Sequence, residues 1–204
     1  MDLVWDDDRE LFIAGPDTGP VRRELRSGSL VVGIRFRSGM AAAALGLPAS
    51  ELRDMRVPLD AVWSAGTSEL AERLAAAPDA RAKRRLLECA FLRRLPDIEP
   101  PDPLVLAAIG RLGKPGSRVG ALSEELFVSE RHLRRTFVPA VGYGPKTLDR
   151  VLRFQRFLAL RPSNLAGAAG ELGYSDQAHL TRETGRLSGL SPAQVVRNLQ
   201  DARA

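Results

Sequence analysis

A fourteen-residue pattern occurs twice in the sequence and carries side chains that suit contact with a polyanion. The copies span 132–145 and 179–192 and align without a gap at an offset of 47 residues. Five positions match: His132/His179, Leu133/Leu180, Arg135/Arg182, Gly142/Gly189 and Pro145/Pro192. Each copy predicts a short basic helix that Gly ends, with Pro three residues later. Self-similarity at this period indicates two copies of one supersecondary unit.

The first copy places three arginines on one side of its predicted helix. Leu133 and Phe137 are four residues apart and are expected to point to the core. Arg131, Arg134 and Arg135 then lie on or beside the opposite face. The planar fork of arginine can bond O6 and N7 of guanine together, and each such pair contributes about 1–3 kcal/mol of discrimination. This helix is therefore a candidate recognition helix for a DNA major groove.

The elements around both copies predict two helix-turn-helix units. Ser129 and Asp176 are placed to cap the two candidate recognition helices. The predicted helices of this half span 104–112, 119–126, 130–138, 145–160, 165–172, 177–187 and 192–199. The helix over 145–160 is about 24 Å long at ~1.5 Å per residue. Together with the flanking units, that length is expected to set the recognition helices about 34 Å apart, one turn of B-DNA.

The first half of the chain predicts short strands followed by helices. Strands are expected over 3–5, 10–14 and 30–36, and the three alone suggest a sheet that is incomplete or completed by a second chain. The stretches 39–45, 67–76 and 78–95 predict helices, while 47–52 and 58–63 predict short helical or turn segments. In the helix over 78–95, Cys89 falls in an apolar pattern and is expected in the core. The basic run on its other face, which includes Lys83, is expected in solvent.

Four prolines within 96–103 forbid helix and predict a stiff linker. The predicted organisation is a regulatory, sensor-like domain over 1–95, a linker over 96–103 and a DNA-binding domain over 104–204. The fold class is α+β: a small partial β-sheet with helices, followed by an all-α, seven-helix tandem helix-turn-helix domain.

Charge divides along the same boundary. Residues 1–103 contain 15 Lys and Arg against 17 Asp and Glu, whereas residues 104–204 contain 15 against 8. A basic second half favours a nucleic-acid partner, with an ordinary solvated surface as the alternative.

Other features of the sequence exclude several classes of protein. The longest apolar runs fall short of the ~20 residues that span a bilayer, and the acidic start is unlike a signal peptide. The single cysteine excludes an intrachain disulfide and a cysteine-rich zinc site. Catalytic and metal-ligand constellations are absent from the sequence pattern. We therefore expect a cytoplasmic, nucleoid-associated protein that is not an enzyme and uses no cofactor or metal, with His132 and His179 as packing or phosphate contacts.

Residues 104–200 resemble the AraC family of bacterial transcription regulators. The resemblance rests on 142–148 and 153–156, and most specifically on 173–177 through 189–192. It implies a monomeric reader with recognition helices in successive major grooves, and it adds Ala178 to the base contacts. The expected DNA contacts are Ser129, Arg131, Arg134, Arg135, Lys146, Arg150, Gln177, Ala178, His179, Thr181 and Arg182.

The first half resembles the later part of a cupin-like sensor domain, through the loop at 15–20 and the stretch 36–52. Such domains usually have further strands upstream, so the chain is expected to be truncated or to start from an internal Met1. The resemblance leaves room for a small-molecule effector at the N-terminal domain, a homodimer through that domain, and RNA polymerase if the protein is an activator.

Four residues depart from the AraC pattern. Phe127 stands where the family commonly has a turn glycine, which costs about 1–2 kcal/mol if the position is left-handed. Pro139 is expected to cut the first recognition helix short. Thr184 replaces the core phenylalanine of copy one, a loss of apolar burial of about 1.5–3 kcal/mol. Gly185 lies in mid-helix at a cost of ~1 kcal/mol. The second unit is therefore expected to be softer, with the first dominating affinity.

The leading hypothesis is a sequence-specific regulator that binds double-stranded DNA and activates or represses transcription. The alternative is a helical protein-interaction or non-specific nucleic-acid-binding module that has lost operator specificity, which the four departures motivate. A preferred footprint of about 20 base pairs distinguishes the first from the second.

Overall fold

A computed structural model describes residues 1–8, 10–95, 98–114, 116–162 and 164–201 of the chain. Its described part contains a small antiparallel sheet followed by helices, so the predicted α+β class is confirmed. None of the helices in these ranges has the length and apolarity that a bilayer-spanning segment requires.

Four strands form the sheet within the described residues. They are β1 (Asp2–Asp6), β2 (Leu11–Ala14), β3 (Val31–Arg35) and β4 (Arg56–Pro58), in the order β3-β1-β2-β4. Side chains alternate along a strand, so Leu3, Trp5 and Ile13 enter the core while Val4 and Phe12 point to the other face. The sheet thus has one face covered by helices and a second, half-buried face.

Strand β4 was missed in the sequence, where the neighbouring stretch 58–63 was expected to be helical or a turn. It pairs with β2 through Val57 and Ile13. Three residues are too few to show the period-two alternation on which strand prediction depends. Pro58 fits the end of an edge strand, where no partner requires its amide.

The N-terminal helices cover the first face of the sheet. They are α1 (Ala41–Leu45), α2 (Thr67–Ala76) and α3 (Ala80–Leu92), with 3-10 turns at Ala49–Leu52 and Leu59–Ala61. Helix α3 ends three residues before the predicted end at 95.

The burial expected for two residues of α3 was wrong. Cys89 is exposed rather than in the core. Lys83 is only 6% exposed, because it lies one turn before the fully buried Leu87 on the same face. Its ammonium lies 4.1 Å from the Trp5 ring centroid and donates to the Leu74 carbonyl oxygen. A cation–π contact and one hydrogen bond replace the water that Lys83 loses.

Seven helices occur in the described part of the second half, as predicted. They are α4 (Pro103–Leu112), α5 (Leu122–Glu125, continuing a 3-10 turn at Val119–Ala121), α6 (Glu130–Val141), α7 (Pro145–Leu160), α8 (Leu165–Glu171), α9 (Gln177–Ser188) and α10 (Pro192–Asp201). Of the linker predicted over 96–103, Pro96 and Asp97 lie outside the described residues. Its last residue, Pro103, instead starts α4 behind the cap Asp102, since the first helical position needs no amide.

The C-terminal helices enclose two separate cores. Unit one packs α4, α5 and α6 around residues that include Phe137 and Leu148. Unit two packs α8, α9 and α10 around residues that include Phe157 and Leu180. Leu148 and Phe157 both belong to α7. The first half of this helix therefore contributes to the core of unit one and its second half to the core of unit two, so that both units pack against the same helix.

Pro139 does not cut α6 short, contrary to the expectation. The helix continues to Val141, whose side chain is buried, and the Gly142 amide then donates to the Val138 carbonyl at 2.8 Å. Pro139 is tolerated because it removes a single amide donor near the end of the helix, where the burial of Val141 compensates for the lost hydrogen bond.

Candidate nucleic-acid interface

The first recognition helix, α6, is capped and anchored in the way its sequence predicts. The Ser129 hydroxyl accepts a hydrogen bond from the His132 amide at 3.1 Å, which satisfies one of the unpaired amides at the helix start. Leu133, Phe137 and Val141 are buried along one stripe. The stripe fixes the rotation of the helix and therefore which residues face outward.

The three arginines expected to contact bases lie on that outward side. Arg131, Arg134 and Arg135 are all exposed, and within the described residues none of them forms an ion pair. The Arg135 Nη2 lies 3.4 Å from His132 Nδ1, on the preceding turn. These guanidinium groups are free to bond base edges or phosphates.

The second recognition helix, α9, repeats this arrangement with an acidic cap. Asp176 Oδ1 accepts the His179 amide at 2.6 Å, and this hydrogen bond is the main reason why the pKa of Asp176 lies below its usual value. Leu180 and Thr184 are buried on the core side. The expected DNA contacts that the structure leaves exposed on this helix are Gln177, Ala178, Thr181 and Arg182.

His179 is half-buried, and part of its imidazole is used to brace the turn. Its Nδ1 accepts the Ser175 amide at 3.2 Å, and its ring packs edge-on against Tyr174 at 5.4 Å. Nδ1 is therefore unprotonated, which leaves Nε2 to carry the proton and to serve as a donor. Burial raises the pKa of Tyr174 to about 12, so this neighbour stays neutral.

The two turns have the same geometry but different lengths. Phe127 has φ of +55° two residues before the cap Ser129, and Gly173 has φ of +82° three residues before Asp176. Each of their amides donates to the carbonyl three residues earlier, at 3.0 Å. Phe127 and Gly173 are therefore equivalent left-handed residues, and Ser175 is an extra residue in unit two. The expected strain at Phe127 is confirmed, and its side chain is 95% exposed.

Two basic residues of α7 were expected to contact phosphates, and the structure places them in different surroundings. Lys146 is exposed in the first turn. Arg150 instead forms an ion pair with Glu183 of α9, and each side chain is only 16% exposed. Arg150 is thus committed to holding α9 against α7.

A second ion pair in α7 supports the turn of unit two. The buried Asp149 bonds to Arg153, whose Nη1 also donates to the Gly173 carbonyl at 2.8 Å. Sequence inspection missed Asp149 and Glu183 as structural residues. The four-residue spacing between Asp149 and Arg153 was the available signal, whereas nothing local joins Glu183 to Arg150.

Residues 122–198, which contain both recognition helices, match a family model described as a helix-turn-helix domain, of AraC type. The chain carries an AraC-type helix-turn-helix domain. Residues 1–58 match a second family model, described as a domain of unknown function (DUF6597). No curated protein and no solved structure matches the chain.

The AraC-type domain indicates a DNA-binding transcription regulator. It confirms the resemblance of the second half, while the cupin-like character of the first half stays a prediction. Among the described residues, no group of three or more His, Cys, Asp or Glu side chains is arranged to hold a metal ion.

Proposed function

We propose that the protein binds a specific sequence in double-stranded DNA, with α6 and α9 in successive major grooves, and regulates transcription there. One observation supports this above all: two capped helices at matched positions of a repeat expose polar and cationic side chains opposite their cores, and among the described residues none of these cations forms an ion pair. In this proposal the protein works at the nucleoid in the cytoplasm and is not an enzyme.

Within this proposal the two helices contribute unequally. Helix α6 offers Arg131, Arg134 and Arg135, which suit guanine, whereas α9 offers Gln177 and Arg182 together with small side chains. We expect unit one to supply most of the base discrimination. Unit two acts as a weaker clamp on the neighbouring groove.

Phosphate contacts are proposed mainly for groups that form no ion pair among the described residues; the Ser129 hydroxyl, which accepts from the His132 amide, still has its own proton to donate. Lys146 and the hydroxyl of Ser129 lie at helix starts, where backbone amides also favour an anion. Arg150 contacts a phosphate only after it leaves Glu183, so its contribution to affinity is small.

The N-terminal part, with its boundary at 96–103, is proposed as the regulatory domain. An effector, a second copy of the chain docked through this domain, and RNA polymerase at an activated promoter are its proposed partners. The exposed edge strand β3, where Val31 is 43% exposed, supports a place for a second copy.

Base reading by Arg135 is tested after selection of bound sequences and footprinting have defined a preferred site. Arg135→Ala should weaken binding to that site by about 5- to 150-fold, equivalent to ~1–3 kcal/mol, and should change binding to random duplex far less. Arg81→Ala, an exposed arginine of α3, is the matched control and should change neither. Equal losses on both duplexes would show that Arg135 contacts only phosphate. The absence of any preferred site would favour the non-specific binding module instead.

Affinity should also fall steeply with salt, because each phosphate contact releases about 0.9 counterion. Lys146→Ala should reduce the magnitude of the slope of log affinity against log salt concentration by about 1. It should weaken binding to all DNA sequences alike. An unchanged slope would remove Lys146 from the phosphate contacts.

A further inference from the structure

A cavity of about 1080 Å³ lies between the sheet and the AraC-type domain. One wall is the sheet face that the N-terminal helices leave uncovered, and it includes Val4 and Phe12. The opposite wall is formed by Val151, Phe154 and Leu158 of α7, with the end of α9 beside them. Its size is slightly above the usual range for small-molecule sites, about 300–1,000 Å³.

Both walls are mostly apolar, and a gap separates the side chains of one wall from those of the other. Val4 pairs with Phe12 across β1 and β2, and neither side chain belongs to a packed core of the structure. On α7, Val151, Phe154 and Leu158 follow a helical stripe and are half-buried; Phe154 and Leu158 also pack against the core of unit two. Apolar surface that faces apolar surface across a gap is a favourable place for an apolar ligand.

The charged groups around the cavity are mostly arginines. Arg23 bonds to Asp6 and Glu10, Arg35 to Asp2, and Arg56 to Asp17. Arg22 also lines the cavity and, in the described part of the chain, forms no ion pair. An anionic group on a ligand would therefore find one uncommitted guanidinium.

We infer that this cavity binds a small, mostly apolar anion of the aromatic-carboxylate type, and that its occupancy is transmitted to both recognition helices. The transmitting element is the strap, defined here as residues 15–22, which runs from the end of β2 along the edge of the cavity.

The strap contacts the same position in both units. Gly142 and Gly189 are the left-handed residues that end α6 and α9, at the matched positions of the repeat. A Cβ built on Gly142 would lie 2.2 Å from Pro16 Cγ, and one on Gly189 would lie 3.5 Å from Pro20 Cγ. One loop thus packs against the ends of both recognition helices.

The two ends of the strap are held differently. Its start is fixed by backbone bonds from Gly15 to Met55 and from Asp54 to Pro16, and by the Thr18 amide on the Asp54 carboxylate at 2.7 Å. Its later residues, 19–22, have no such bonds among the described residues and line the cavity directly. A ligand that contacts Arg22 would fix this freer part against Gly189.

The site itself depends only on the cavity, whereas its regulatory role rests on the proposed function. A ligand that favours one placement of the strap favours one placement of two helix ends, and so changes DNA affinity by its differential binding to the two placements.

Binding is tested on the whole 204-residue chain with 2-naphthoate as the probe and calorimetry or fluorescence as the readout. Val4→Trp fills the cavity and should weaken binding by about tenfold or more. Leu92→Trp adds the same indole ring to an exposed position of α3 outside the cavity and should leave binding unchanged. Failure of the wild-type chain to bind, or equal binding by Val4→Trp, would overturn the site.

The charge requirement is tested with the neutral isostere 2-naphthamide and with Arg22→Gln. Naphthoate should bind about tenfold more tightly than naphthamide, and Arg22→Gln should remove that preference. Arg26→Gln, outside the cavity, is the control. Equal binding of the two probes to the wild-type chain would show that the ligand need not be an anion.

Transmission is tested without DNA by following the Gly142 and Gly189 amide resonances, which report hydrogen bonds of 2.8 Å to Val138 and Gly185. Naphthoate should shift the Gly189 resonance most and that of Gly142 less, because the strap contact of Gly142 at Pro16 is already fixed, and should shift neither in Val4→Trp. Binding that leaves both unchanged would overturn the role of the strap. Because DNA is absent, this result is independent of whether the protein reads a specific site.

Discussion

Phe137 and Thr184 occupy the same position in units one and two, and both side chains are fully buried. Phe137 fills the centre of its core with an aromatic ring. Thr184 fills the equivalent place with a smaller side chain whose Oγ1 has no hydrogen-bond partner in the described part of the chain. A buried hydroxyl without a partner costs about 1–3 kcal/mol. The two units therefore share one architecture, but the core of unit two is less well packed than that of unit one.

The turns show the opposite inequality. Unit one places Phe127 at a left-handed position, whereas unit two places Gly173 there and braces it with Arg153. Unit one therefore combines a strong core with a strained turn, and unit two a weak core with a relaxed turn. The repeat maintains its geometry because different contacts compensate in each copy.

The largest expected effect is on the core of unit one. Phe137→Ala should lower the free energy of unfolding by about 3–5 kcal/mol, since it leaves a large cavity. Thr184→Ala, at the matched position, should lower it by far less. Urea denaturation, with amide exchange at Leu133 and Leu180 to report each unit, measures both. Similar losses would show that the two cores are equally packed.

The next effect concerns the attachment of unit two to α7. Glu183→Gln removes the charge that faces Arg150, and should lower the free energy of unfolding by about 1.5–3 kcal/mol. Amide exchange should quicken in α9 and stay unchanged in α6. Glu124→Gln, exposed in α5, is the control. Faster exchange in α6 would mean that the units are not stabilised separately.

A smaller effect should have opposite signs in the two turns. Phe127→Gly should raise the free energy of unfolding by about 1 kcal/mol, because glycine adopts φ of +55° without the Cβ clash. Gly173→Ala should lower it by about 1–2 kcal/mol for the same reason. Thermal and urea unfolding of both variants check this. A loss on Phe127→Gly would mean that the phenylalanine side chain stabilises the turn.

The smallest effect is at the buried hydroxyl. Thr184→Val keeps the shape and replaces the unpaired Oγ1 with a methyl group, so it should stabilise unit two by about 1 kcal/mol. The expected readout is slower amide exchange at Leu180 and an unchanged exchange rate at Leu133. Destabilisation would indicate that a water molecule satisfies Thr184.

Local periodicity was sufficient to predict α+β class, the seven C-terminal helices and the outward direction of the arginines of α6. Helix caps such as Ser129 and stripes such as Leu133 and Phe137 are separated by three or four residues, so their effect is already present in the sequence. The left-handed position of Phe127 was instead expected from the resemblance to the AraC pattern, in which a glycine is common there.

Contacts between distant residues were decided only by the tertiary structure. The sequence pattern predicted Cys89 in the core and Lys83 in solvent, whereas Cys89 is exposed and Lys83 is buried against Trp5. It assigned Arg150 to DNA, whereas Glu183, 33 residues away, holds it in the structure. The strap across Gly142 and Gly189 has no local signal at all, because which surfaces meet depends on how whole elements pack, a sum over many weak long-range contacts that no short stretch of sequence contains.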